Sequence, residues 1–365
     1  MTGLEVFCTK CGSAYPLNGV PFRCLDCGGL YDYGGDFSFD PSQMDRSQPG
    51  IWRYRHMFGL PAGLEPVSLG EGDTPLVWAR VFNRDVVFKC EFLNPSGSFK
   101  DRGSAVISAW LKWHGVAEAI EDSSGNAGAS FAAYAARAGI KARIFVPISS
   151  AGPKRRQIEA YGAELIPIHG SRTEVADSVR KVAESGTAYA SHAYLPFNLP
   201  GYATAAFEIV DQLGQMPGAV MVPAGQGGLL LGMARGFDAL RIGNPRMKGP
   251  RMIGVQSQAC APLWALFNSQ GKEQGSFADN SSLAEGVLVR TPLRKDAVLT
   301  AVRASGGAIC ITEEQEILTG RDMLAGFGLY VEPTSAVVWA ALARIVDNLP
   351  DPIVVILTGS GLKYG

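Results

Sequence analysis

Short β-branched runs and alanine-rich stretches of helical length take turns along this chain from Val86 onward. The apolar runs predict strands at 87–92, 142–147, 164–168, 219–223, 252–256 and 353–357. Apolar positions at helical spacing predict helices at 103–113, 127–137, 153–161, 174–184, 203–213 and 229–240. Strand followed by helix, many times over, is the pattern of an α/β fold with mostly parallel sheets. Glycines gather where the expected strands give way to helices, the edge at which ligands bind in open α/β sheets. Upstream, residues 36–65 have little periodicity and several Gly and Pro residues, which predicts an irregular connector around the main body.

Composition narrows the function classes. A chain of 365 residues, 47% hydrophobic, 18% charged and with a formal net charge of -1, is a globular protein without the basic balance of a nucleic-acid binder. Its length points to two or three domains. No run approaches the roughly 18 apolar residues of a bilayer span. Residues 1–5, MTGLE, lack the basic start and apolar run of a secretory signal, so a cytoplasmic location is expected.

The seven cysteines are unevenly placed. Cys8, Cys11, Cys24 and Cys27 form two CxxC pairs with twelve residues between them, a spacing that could gather four thiolates around one structural zinc ion. A ribbon that has lost its metal, or a redox dithiol pair, would fit the same spacing. Cys90, Cys260 and Cys310 lie in apolar stretches and read as small core residues.

Four segments could carry chemistry. Residues 94–103, NPSGSFKDRG, follow a strand and open a helix, which sets Lys100 where backbone N–H groups and the helix dipole favour an anionic ligand. A solvent-facing lysine is the plainer alternative. Residues 123–128, SSGNAG, precede an alanine-rich helix, and the Asn126 amide could meet a phenolate or carboxylate; alone, the segment is equally a helix cap and a tight turn.

Residues 223–228, PAGQGG, have the glycines that let a backbone approach a phosphate at a helix start. They match neither the nucleotide P-loop nor the dinucleotide fingerprint, so a phosphate-bearing cofactor suits them better than ATP or NAD. Residues 357–363, LTGSGLK, offer the neutral hydroxyls of Thr358 and Ser360, suited to a ring nitrogen that need not carry a proton. A simple strand exit is the alternative there. Taken in order, the four supply an amine, an amide, a phosphate loop and a hydroxyl.

On these motifs the chain resembles the threonine-synthase and serine/threonine-dehydratase superfamily of pyridoxal-phosphate enzymes, fold type II, over residues 66–365. The resemblance implies a tryptophan synthase beta-like architecture. Its expected parts are a zinc-ribbon-like module over 1–35, the connector over 36–65, a large cofactor-binding domain from 66–104 and 196–365, and a small domain over 105–195. It further implies that Lys100 carries pyridoxal 5'-phosphate on its amine with Phe99 beside the ring, and that Asn126 addresses the ring oxygen. Gly225, Gln226, Gly227 and Gly228 would hold the phosphate, and Thr358 would face the pyridine nitrogen. The implied partner is a small amino-acid substrate, with a homodimer as the assembly.

The implied reaction is lyase chemistry in which Lys100 takes the α-proton, with O-phosphohomoserine converted to threonine and phosphate. A serine/threonine ammonia-lyase, or another β-elimination or β-replacement enzyme, is the alternative. Ala127, Ala193, Asn198 and Gln226 stand where threonine synthases usually carry residues for the substrate phosphate, whereas LAEG at 283–286 resembles the ammonia-lyases. Residues 332–336, EPTSA, are also shared with the superfamily and read as shaping the fold.

Overall fold

The structure, a computed structural model, describes residues 6–149, 152–170, 172–243, 247–269 and 277–364. The first five residues of the expected cysteine module lie outside the described residues. In chain order the strands are β1 (Val6–Cys8), β2 (Tyr31–Tyr33), β3 (Leu76–Val81), β4 (Arg84–Lys89), β5 (Glu118–Glu121), β6 (Lys141–Pro147), β7 (Glu164–Ile168), β8 (Ala188–Tyr189), β9 (Ala219–Pro223), β10 (Arg251–Ser257), β11 (Ala308–Thr312) and β12 (Ile353–Ile356). The helices that concern the site are α1 (Lys100–Trp113), α2 (Asn126–Ala138), α3 (Pro153–Ala160), α4 (Arg172–Glu184), α5 (Asn198–Leu213) and α6 (Gly228–Gly243).

The chain divides into two compact units, the first made of residues 1–72 and 94–201 and the second of 73–93 and 202–364. Residues 94–104, with Lys100 among them, therefore fall in the first unit. In that unit β7, β6, β5 and β8 form a parallel sheet in this order. Pro167 is tolerated because β7 is an edge strand, where a missing N–H costs no ladder bond. The cysteine module packs within the same unit: Tyr15 meets Tyr31 and Phe197 edge to face, and Arg23 donates to the Tyr194 hydroxyl at 2.8 Å. The expected connector contains the 3-10 helix Gly50–Phe58, which buries Trp52, Tyr54, Met57 and Phe58.

In the second unit the sheet order is β11-β10-β9-β12-β4-β3, parallel except for the antiparallel pair β3–β4 at one edge. β9 and β12, AVMVP and IVVI, are buried along their whole length. A central parallel strand is covered on both faces and so reads as a continuous apolar run. A buried ion pair crosses this unit: Lys89 donates to Glu208 at 2.8 Å, to Gln212 at 2.9 Å and to the Thr74 carbonyl at 2.7 Å.

Candidate active site

In the first unit, Lys100 occupies the first position of α1. The segment before it is folded back by Asp101, whose carboxylate accepts from the Ser96 N–H at 2.6 Å and from the Ser96 hydroxyl. Gln157 on α3 donates to the Ser96 carbonyl at 3.0 Å. Asp101 also accepts from Ser130 on α2 at 2.6 Å, which ties the starts of α1 and α2 together. The Ser130 and Ser104 hydroxyls are 2.7 Å apart, and Ser104 lies 3.0 Å from His192 Nε2. Asn198 donates to the His192 carbonyl at 2.6 Å and so fixes the same stretch.

Lys100 is half-buried, with its ammonium 4.9 Å from the Phe99 ring centroid. Desolvation lowers its pKa to about 8, against the opposing pull of the Glu121 carboxylate. Desolvation also holds His192 well below the ordinary histidine range, with Lys100 adding repulsion. The lysine is therefore poised to exchange a proton near neutral pH, the property needed of an amine that acts as both nucleophile and base. Asn126 begins α2, with the turn before it organised by Ser123, whose hydroxyl accepts from the Gly125 N–H at 3.2 Å.

In the second unit, β9 ends at Pro223 and α6 starts at Gly228. The first hydrogen bond of the helix runs from the Leu231 N–H to the Gly227 carbonyl, so the N–H groups from Gly227 to Leu230 precede its i→i−4 ladder. Gly227 has φ of +79°, and a Cβ there would come within 2.6 Å of Val298, so the loop requires glycine. Such a glycine turn at a helix start fits a phosphate. The Gln226 side-chain oxygen accepts from the Leu293 N–H at 3.1 Å, which fixes the orientation of its amide.

Thr358, directly beyond β12, is buried, and its hydroxyl lies 3.3 Å from that of Ser335. Ser335 also accepts from the Thr358 N–H at 2.5 Å and the Gly359 N–H at 3.4 Å, while neighbouring Thr334 accepts from the Gly286 N–H at 3.0 Å. Residues 332–336, which the sequence marked as shaping the fold, thus hold both the Thr358 segment and the LAEG turn. Sequence reasoning passed over Ser335, Glu121 and His192 as site residues. The sole local sign of Glu121 was an acidic residue at the end of a short strand, next to SSGNAG.

In the cysteine module the Cys8, Cys11, Cys24 and Cys27 sulfurs all lie within 4.8 Å of one another, with Cys8–Cys27 at 3.5 Å and Cys11–Cys24 at 3.6 Å. A tetrahedral zinc-thiolate centre requires sulfurs about 3.8 Å apart, so the four fit one ion. Hydrogen bonding from Ser13 lowers the Cys11 thiol to about 6, which favours the thiolate.

Residues 67–359 match the family described as pyridoxal-phosphate dependent enzyme. The chain is 31% identical to the threonine synthase of Methanocaldococcus jannaschii over 98% of its own length and 92% of that protein. It is 36% identical to the threonine synthase of Synechocystis over 81% of its own length and 78% of that protein. Among solved structures, a threonine deaminase from T.th. superposes with a TM-score of 0.64 at 28% identity, covering 79% of this chain and 92% of that one.

Proposed function

The chain belongs to the pyridoxal-phosphate dependent enzyme family and is a lyase of fold type II, and we propose that its reaction converts O-phosphohomoserine to threonine and phosphate. The observation that carries the choice of substrate is the nearly end-to-end similarity to a threonine synthase. In this reading Lys100 holds pyridoxal 5'-phosphate, Phe99 packs beside its ring and Asn126 donates to its ring oxygen. The N–H groups of Gly225, Gln226, Gly227 and Gly228 take its phosphate, and Thr358 faces its ring nitrogen. The fit rests on a desolvated lysine amine, a glycine-required turn opening a 16-residue helix, and a buried hydroxyl clamped by Ser335.

When bound, the cofactor supplies an electron sink for the substrate α-carbon. The chain's own residues manage the protons. Lys100 would accept the substrate's α-proton on Nζ and return it to another carbon. Asp101, through Ser96, keeps that lysine at the helix start, and Ser104 on the same helix lies against His192. A neutral Thr358 hydroxyl does not force a proton onto the ring nitrogen. Water adding to the β-carbon after phosphate leaves the γ-carbon completes the balance.

The alternative ammonia-lyase reading is favoured by one observation. Ala127 and Ala193 have no polar side-chain atom to offer a substrate phosphate, and the Asn198 amide already donates to the His192 carbonyl. A side-by-side assay with O-phosphohomoserine, threonine, serine and O-phosphoserine decides between them. Threonine and phosphate from O-phosphohomoserine support the proposal. Oxo acid from threonine or serine, without turnover of O-phosphohomoserine, overturns it.

The same reading includes a structural zinc ion on Cys8, Cys11, Cys24 and Cys27, supported by their convergence. It also includes a homodimer, as the superfamily resemblance implies, and a cytoplasmic location, where a reducing environment keeps such thiolates available.

A further inference from the structure

The cysteine module grips residues 189–198, a stretch of the unit that carries Lys100. Arg23, the residue before Cys24, donates to the Tyr194 hydroxyl at 2.8 Å and lies over the Tyr194 ring, 4.9 Å from its centroid. Phe22 meets the rings of Tyr189 and Tyr194 edge to face, and Tyr15 meets Phe197 in the same way. The Cys24 N–H donates to the Gly29 carbonyl at 2.8 Å and the Gly28 N–H to the Cys24 carbonyl at 2.9 Å, so Phe22 and Arg23 lead into a closed turn. On its other side the gripped stretch meets the Lys100 helix. Ser104 lies on α1 one turn beyond Lys100 and on the same face, with its hydroxyl 3.0 Å from His192 Nε2. Trp110, further along α1, stacks on Phe197 with centroids 4.2 Å apart. Asn198 closes the stretch on itself by donating to the His192 carbonyl at 2.6 Å.

We propose that the cysteine module holds residues 189–198 against the Lys100 helix, with Arg23 as a positioning residue that acts through Tyr194. The stretch needs such a hold because it has little regular structure: β8 ends at Tyr189 and α5 begins at Asn198. Between them a few turn bonds, among them Leu195 N–H to the Ser191 carbonyl at 3.0 Å, leave its position to side-chain contacts. A guanidinium that both stacks on a ring and donates to its hydroxyl fixes that ring in angle as well as in distance. Tyr194 is two residues from His192, so displacement of its ring passes directly to the group that faces Ser104. Lys100 itself stays in place when the grip is lost, because Asp101 and Ser96 fix the start of α1. What loosens is the wall beside the lysine. The consequence for catalysis rests on the reading of Lys100 as the lysine that meets the substrate: a loosened wall weakens substrate binding and leaves cofactor attachment intact.

The test compares the full-length protein, cofactor bound, with its Arg23→Ala, Tyr194→Phe and double variants. Backbone hydrogen exchange of peptides covering residues 189–198, read by mass spectrometry, should be about fivefold faster in Arg23→Ala, with β12 in the other unit unchanged. Tyr194→Phe keeps the ring and removes the hydroxyl, so it should show part of that effect. The double variant should show no more than Arg23→Ala alone, because both changes remove one shared interaction. With O-phosphohomoserine, KM should rise about fivefold in Arg23→Ala while kcat stays within about twofold and the absorbance of the lysine-bound cofactor is kept, a split that a general loss of structure would not give. Unchanged exchange in Arg23→Ala, or in Tyr194→Phe should Arg23→Ala fail to fold, overturns the proposal. Effects that multiply in the double variant overturn it too, as does an unchanged KM beside faster exchange. Exchange needs no turnover, so a native protein inactive on O-phosphohomoserine contradicts the substrate reading alone, and the exchange result still decides this one.

Discussion

Asp101 gathers the Ser96 N–H, the Ser96 hydroxyl and the Ser130 hydroxyl on one buried carboxylate. Asp101→Ala strands these donors and should cost about 2–4 kcal/mol, read from the urea midpoint. His192 gives a pH dependence. Its folded pKa lies well below the ordinary 6.5, so the unfolded chain binds more protons than the folded one once pH falls through 6.5. Stability is therefore fully present above that pH and lost on acidification below it. Comparing urea midpoints from pH 7 to 5, His192→Asn should flatten this loss; an identical slope in the variant would show that His192 is not its source. None of these partnerships could be read from the sequence, because Asp101 meets a serine 29 residues away and Ser104 a histidine 88 residues away.

The strands at 164–168 and 219–223 and the helices of the catalytic segments were legible as elements, since their apolar patterns are long or unbroken. Boundaries moved where chemistry sits. α1 begins at Lys100 rather than 103, because the Asp101 fold-back lets polar residues start the helix. β5, EAIE, was missed because a buried glutamate hides its apolar character. β3 was missed as an antiparallel edge whose Trp78 is exposed. Gly227→Ala, straining a residue at φ of +79°, should cost about 1–2 kcal/mol at the loop and weaken cofactor retention roughly tenfold, read by equilibrium dialysis. Glu208→Ala leaves Lys89 of β4 buried without its carboxylate and should destabilise the second unit by about 3–5 kcal/mol in urea unfolding.

At the scale of the whole molecule, the sequence order of amine, amide, glycine loop and hydroxyl identified the family, and residues 67–359 bear this out. The segments themselves are divided, with Lys100 and Asn126 in the first unit and Gly225 to Gly228 and Thr358 in the second. A division of this kind could not be drawn from local periodicity, because it depends on which helices pack together rather than on where each begins. The cysteine module adds a separate test: about one zinc per chain is expected, and chelation should lower the thermal midpoint of the protein and added zinc restore it. Retention of no metal by reduced protein would leave the four cysteines as a metal-free ribbon.

The central claim, that Lys100 is the lysine holding pyridoxal 5'-phosphate, is tested most directly by borohydride reduction of the purified protein followed by peptide mass mapping. The account predicts one modified peptide, carrying the reduced cofactor on Lys100 and absent from Lys100→Ala. Attachment at Lys154, Lys363 or any other lysine in the native protein would contradict it.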